Sequence, residues 1–249
     1  MPSRAVWGAS AMTDPRTPST PSDAANGLDN PVYSSLTGFH GGLAEVRGNA
    51  RRYPVDVAPF LGLPAVPDEQ DWLDAASLVT AGSVVALVRE TVSVPNSWEA
   101  IQTFGAVRMT AETVRAAADP EAVPLGQEDV PDMLRLTAET KPGPFLPRTI
   151  ELGSYVGIRR GGELIAIAGE RLRAPGWTEV SAVCTAPGHR GEGLGTRLVH
   201  SVVAGIEARG DRAFLHTSAE NTNAIRLYEA LGFVLARRLA ITTVTPRTG

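Results

Sequence analysis

Apolar residues recur at helical spacing in several stretches of this chain and alternate or cluster at strand spacing in others, which sorts it into elements before any chemistry is considered. Over residues 195–209, Leu198, Val199, Val202, Val203 and Ile206 fall on one face of a helix that Gly210 closes. Residues 68–79 carry Trp72, Leu73, Ala76 and Val79 at the same period. Val130, Met133, Leu134 and Leu136 mark another helix, opening near Glu128 or Asp129 after a strand at Val123. Residues 223–231 predict a short helix ended by Gly232, and 98–104 and 111–120 are also read as helical. Strands are expected at 83–88, 106–110, 179–185, 213–217 and 234–243, with 155–159 and 164–170 paired as a hairpin through Arg160-Gly161-Gly162. Residues 43–52 read as helix or strand, and the prolines of 141–147 rule out a helix there.

These elements divide the chain in three. Residues 1–27, rich in Ser, Thr, Pro, Ala and Asp without apolar periodicity, predict a disordered tail in which Met12 is an alternative start. Residues 28–120 form an N-terminal α/β region without a catalytic signature, and 121–249 a second α+β unit. At 249 residues and 43% hydrophobic content the chain can bury a substantial core. A net charge of −4 supplies no basic field for nucleic acid. No apolar run reaches membrane-spanning length and the start lacks the order of a secretion signal, so a cytoplasmic protein is expected. Cys184 is the sole cysteine, and the four histidines lack close spacing, so neither a disulfide nor a metal site is expected.

Candidate chemistry gathers where the strand at 180–185 runs through Pro187 and Gly188 into Gly191-Glu192-Gly193-Leu194-Gly195-Thr196 and a helix. Glycines let the backbone turn sharply and converge its N–H groups, and the helix start adds unpaired donors and partial positive charge. Such a loop holds an anion, a phosphate or pyrophosphate above all. It is not a P-loop, because Leu194 and Gly195 stand where Lys and Ser or Thr would follow Gly188 and Gly193. It is not a dinucleotide fingerprint either, since Thr196 occupies the third glycine position counted from Gly191.

The pattern it does carry is Arg190-x-x-Gly193-x-Gly195, followed downstream by Asn221-x-x-Ala224-x-x-x-Tyr228-x-x-x-Gly232-Phe233. In these two signatures, in this order, the chain resembles the GCN5-related N-acetyltransferase (GNAT) superfamily, and the wording from Glu179 to Gly193 is similar to its FR47-like branch. The resemblance covers roughly the last third of the chain. It implies an α+β fold with a mixed, mostly antiparallel sheet flanked by helices, and an N-terminal region that in FR47-like proteins is often a degenerate acetyltransferase-like half. It also implies acetyl-CoA as co-substrate, no metal, and direct transfer of the acetyl group to a primary amine.

Carried over residue by residue, the resemblance places Val183, Cys184 and Thr185 against the acyl and pantetheine portion, beside a bulge whose backbone N–H faces the oxyanion. Arg190, Gly191, Glu192, Gly193, Leu194, Gly195 and Thr196 lie on the pyrophosphate, and Asn221 on the pantetheine amide, although Asn221 also suits a helix cap. Tyr228 takes the general-acid position, with a packing tyrosine as its alternative. The general base stays open among His216, Glu179 and Glu170; His216 stands where some relatives carry a catalytic glutamate, and His189 reads as solvent-exposed. Cys184 on a strand reads as a buried apolar thiol. The acceptor, a small-molecule or peptide amine, is unspecified, with a polyamine or aminoglycoside-like compound among the options. A coenzyme A sensor without turnover and a transferase for longer acyl groups are the alternatives, and monomer or homodimer is left undetermined.

Overall fold

The computed structural model describes residues 27–80 and 82–247, so the expected tail and Met12 lie outside it apart from Gly27. The helices are α1 (Pro31–Thr37), α2 (Glu69–Leu78), α3 (Val130–Thr140), α4 (Leu194–Ala208) and α5 (Thr222–Ala230). The strands are β1 (Glu45–Arg47), β2 (Ala50–Arg52), β3 (Leu61–Gly62), β4 (Val85–Arg89), β5 (Trp98–Ala111) and β6 (Val123–Leu125). After them come β7 (Tyr155–Arg160), β8 (Glu163–Ala174), β9 (Trp177–Thr185), β10 (Arg212–Ser218) and β11 (Phe233–Pro246).

Strands β1–β3 make a small sheet, and the other eight make one large sheet in the order β4-β11-β5-β10-β9-β8-β7-β6. Within it only β9 and β10 run parallel. The apolar stripe of α4 is buried on one face against Val107, Met109, Ala166, Ala168 and Leu215. On the other face α3 packs Val130, Met133 and Leu136 on Leu164, Ile167 and Cys184, while α1 and Phe60 pack on Leu172, Trp177 and Phe214. Helix α2 starts at a capping box: Asp68 accepts from the Asp71 N–H at 2.8 Å and Asp71 accepts from the Asp68 N–H at 3.0 Å.

Two expected helices are absent. Residues 98–104 belong to β5, where Glu99 to Gly105 are all exposed and offer no face to bury, while β11 pairs with the strand over its whole length. Local propensity yields to a long-range partner here. The stretch 111–120 has no helix because its polar groups are taken by α4. The Ala117 N–H donates to the His200 carbonyl at 3.3 Å, the Asp119 N–H to Ser201 Oγ at 2.8 Å, and Arg197 grips the Asp119 carboxylate at 2.6 and 2.7 Å. The open 43–52 stretch resolves into β1 and β2, and β4 and β5, which precede residue 120, are strands of the large sheet.

Strand β9 is bent by a bulge. Between the pairs Ile167↔Cys184 and Gly169↔Ser181, Ala182 and Val183 together oppose Ala168, and Ala182 adopts φ 53°. In an unbroken strand Val180 and Cys184 would share a face, yet Val180 packs on the α4 side and Cys184 on the α3 side. A non-glycine residue held left-handed costs about 1–2 kcal/mol. We therefore expect Ala182→Gly to be between neutral and about 1 kcal/mol more stable in denaturant titration, and Ala182→Val to lose about 2 kcal/mol or more. Equal midpoints for the two would show that the bulge stores no strain.

Candidate active site

Beside this bulge the sheet opens. The parallel pairing of β9 with β10 ends at Phe214↔Glu179, so β9 from Val180 to Thr185 has no partner in β10. The gap is a cleft of about 560 Å³ with those six β9 residues on one wall and His216, Thr217 and Ser218 on the other. The end of α3 and its following loop, Thr140 to Pro144, reach its rim, and Ala224 and Tyr228 of α5 close it.

At the head of the cleft lies the glycine loop. Gly191 and Gly193 have φ 84° and 73°, and Gly193 caps α4 without any side-chain cap. The helix accordingly starts at Leu194, one residue before the expected position, with the Leu194 side chain anchored in the core. From Gly191 to Thr196 no backbone N–H donates to a protein acceptor among the described residues. A Cβ on Gly191 or Gly193 would meet nothing within 4 Å, so these glycines answer the backbone angle and not crowding. Arg190 lines the cleft and has no ion pair among the described residues, whereas the Glu192 carboxylate is held by Arg160 and, at 2.9 Å, by His189. Six donors without a protein acceptor among the described residues, the positive end of a helix dipole and one guanidinium thus lie on neighbouring residues, and the one carboxylate among them, Glu192, is already paired. Gly195 brings this end of the helix to Val183 and Thr185, with its Cβ position 3.7 Å from Val183 Cγ1.

Tyr228 lines the cleft from α5, its ring edge-on to Phe233 at 5.7 Å between centroids. No hydrogen bond contributes to its pKa, which burial pushes up to about 12. Asn221 also lines the cleft and caps α5, Oδ1 accepting from the Ala224 N–H at 3.1 Å. Burial first, against a weaker opposing effect of Thr140, pushes the Cys184 thiol up to about 11, so it is not a thiolate nucleophile at neutral pH.

The base candidates separate. Glu170 points away from the cleft and pairs with Arg209 at 2.6 Å, and His189 belongs to the loop's ion pairs. Glu179 and His216 form one cluster. The Glu179 carboxylate, with no exposed surface, accepts from Arg171 at 2.7 and 2.9 Å and from the Leu172 N–H at 3.3 Å, and it lies 2.7 Å from His216 Nδ1. Burial alone would raise the Glu179 pKa, but Arg171 and then His216 hold it well below the usual carboxylate range. An ionised carboxylate fixes the ring with Nδ1–H as donor and leaves Nε2 as acceptor. Nε2 is buried without a partner among the described residues, on a side chain only 3% exposed that lines the cleft.

Comparison with known proteins gives this geometry its family. The FR47-like protein family matches residues 155–240. A GNAT-family protein of known structure from Novosphingobium aromaticivorans is 39% identical, over 89% of this chain and 99% of its own, with a TM-score of 0.81. The chain belongs to the GCN5-related N-acetyltransferases. Within that superfamily it lies on the FR47-like branch, and acetyl-CoA is the family's co-substrate. The N-alpha-acetyltransferase RimI of Mycobacterium tuberculosis is 38% identical over 82 residues, 32% of this chain and 51% of RimI. The mycothiol acetyltransferase of Thermobispora bispora is 45% identical over 56 residues, 22% of this chain and 19% of that protein. The matches thus span about half of one curated relative and about a fifth of the other. Among the described residues of this GNAT protein no helix is long and apolar enough to cross a membrane.

Several residues of the GNAT cleft have no sign in the sequence signatures. Arg171 lines the cleft and holds Glu179, and the available hint was the run of charges Glu170, Arg171 and Arg173 after the apolar stretch from Leu164 to Ala168. Phe104 reaches the cleft from β5, and Lys141 and Pro144 from a loop read only as non-helical.

Proposed function

We propose that this chain is an acetyl-CoA-dependent N-acetyltransferase that passes the acetyl group directly to a primary amine. The observation that carries the reading is the alignment along one cleft of an anion-holding loop, a bulged strand edge, a phenol and an oriented imidazole. Bound acetyl-CoA supplies the activated acyl group and a thiolate leaving group. The N–H groups of Gly191 to Thr196, with Arg190, hold its pyrophosphate. The edge of β9 from Val183 to Thr185 receives the pantetheine arm and points backbone N–H toward the charge developing on the carbonyl oxygen. His216 Nε2 accepts the proton that the ammonium form of the acceptor must lose, and Glu179 stabilises the resulting imidazolium. The amine nitrogen then forms the bond to the acetyl carbon as the carbon–sulfur bond breaks; Tyr228 gives its proton to the departing sulfur, and the second proton shed by the nitrogen as it becomes an amide restores the phenol.

The direct test is consumption of the acetyl thioester against a panel of primary amines, with coenzyme A binding followed by calorimetry. Binding without turnover on any amine would leave a coenzyme A sensor in place of an enzyme. Tyr228→Phe should keep coenzyme A affinity and lower kcat about ten-fold or more. Because the phenol is the useful form below its pKa and is lost only as pH rises through about 12, the parent's rate should stay flat where an ordinary tyrosine titrates, near 10. An alkaline fall at that point, absent in Tyr228→Phe, would contradict the buried-phenol assignment.

A further inference from the structure

Resting on the acetyl-transfer reading, we infer that the acceptor is a single primary amine on a small apolar body, and that the region before residue 120 builds the chamber receiving it. A second cavity of about 260 Å³ adjoins the cleft and shares Phe104, Pro144, Arg171, His216 and Ile241 with it. Its far wall is Phe60, Val84, Ala86 and Val88, all from the N-terminal region. That wall is fixed: Phe60 bridges to Ala86, the Ala86 N–H donates to the Pro59 carbonyl at 2.7 Å, and β4 pairs with β11. The chamber is slightly smaller than the roughly 300–1,000 Å³ of a drug-sized ligand's pocket, which suits one branched side chain or one ring.

Charge decides between acceptor classes. Among the described residues no carboxylate lines the cleft or the chamber. The chamber's one guanidinium, Arg171, is already met by Glu179 and stands 5.1 Å over the Phe60 ring. A polyamine or an aminoglycoside would bring several ammonium groups to walls that cannot answer them, and a buried uncompensated charge is strongly disfavoured. A single amine has one charge to lose, and His216, which lines both cavities, carries in Nε2 a buried nitrogen with no hydrogen-bond partner among the described residues to take that proton. Apolar surroundings disfavour the ammonium and so assist the same step.

The test measures thioester consumption with glycinamide, leucinamide, phenethylamine and spermidine, alongside calorimetry with coenzyme A. Leucinamide and phenethylamine should exceed glycinamide in kcat/KM by about ten-fold or more, the discrimination that buried apolar groups provide. Val84→Trp, at a position 46% exposed, should fill the chamber and bring the leucinamide-to-glycinamide ratio toward one while coenzyme A binds as in the parent. Thr243→Phe narrows the chamber from β11 and gives an independent reading of the same ratio. Spermidine as the best acceptor, or a ratio unmoved in both variants, overturns the inference and leaves acetyl transfer standing. Coenzyme A binding with no amine consumed overturns acetyl transfer itself, and this inference with it.

Discussion

His216→Ala should lower kcat by about a hundred-fold or more while coenzyme A still binds, because it removes a buried acceptor nitrogen, without a hydrogen-bond partner among the described residues, from the residue that lines both cavities. A variant with the parent's kcat would place the base elsewhere. Glu179→Gln acts differently, since it leaves Arg171 buried without its counter-charge; the loss should be about 3–5 kcal/mol in denaturant titration. Glu179 also ties stability to pH. Its folded pKa lies below the unfolded one, so its contribution is complete above about 4.3 and is lost as pH falls toward the folded value.

Gly193→Glu should weaken coenzyme A binding by about a hundred-fold or more in calorimetry. The new carboxylate would stand among the donors of Gly191 to Thr196 and repel the diphosphate we propose they hold. Gly193→Ala separates charge from strain. A methyl group there meets nothing within 4 Å but must tolerate φ 73°, so the alanine variant should lose about 1–2 kcal/mol of stability and retain most of its affinity. If the glutamate variant binds coenzyme A as the alanine variant does, the pyrophosphate does not lie on this loop.

What the letters disclosed was local. The glycine loop, the apolar stripe of α4 and the Asn221 cap each depend on residues a few positions apart, and each was legible to within a residue or so. The union of His216 with Glu179 was not legible, because the two are 37 residues apart and meet only through the β9–β10 register that sets Phe214 beside Glu179. Taken singly they were rival bases; in the fold one orients the other. Residues 98–104 failed for the same reason, since the partner that makes them a strand is the end of the chain, Thr103 pairing with Thr242. The apolar residues of β4 read as plain core, and nothing in their spacing marks them as the wall of a chamber beside His216.

The position of β5 between β10 and β11 has a bearing on how the protein is made. During synthesis β5 leaves the ribosome about a hundred residues ahead of the strand that pairs Phe214 with Thr110, and further still ahead of β11. The sheet cannot close until β11 has been made, and until then both edges of a fourteen-residue strand carrying Ile101 and Phe104 lie open to other chains. Pairing over so long a separation makes closure of the sheet slow, and chains shortened before β11 should aggregate.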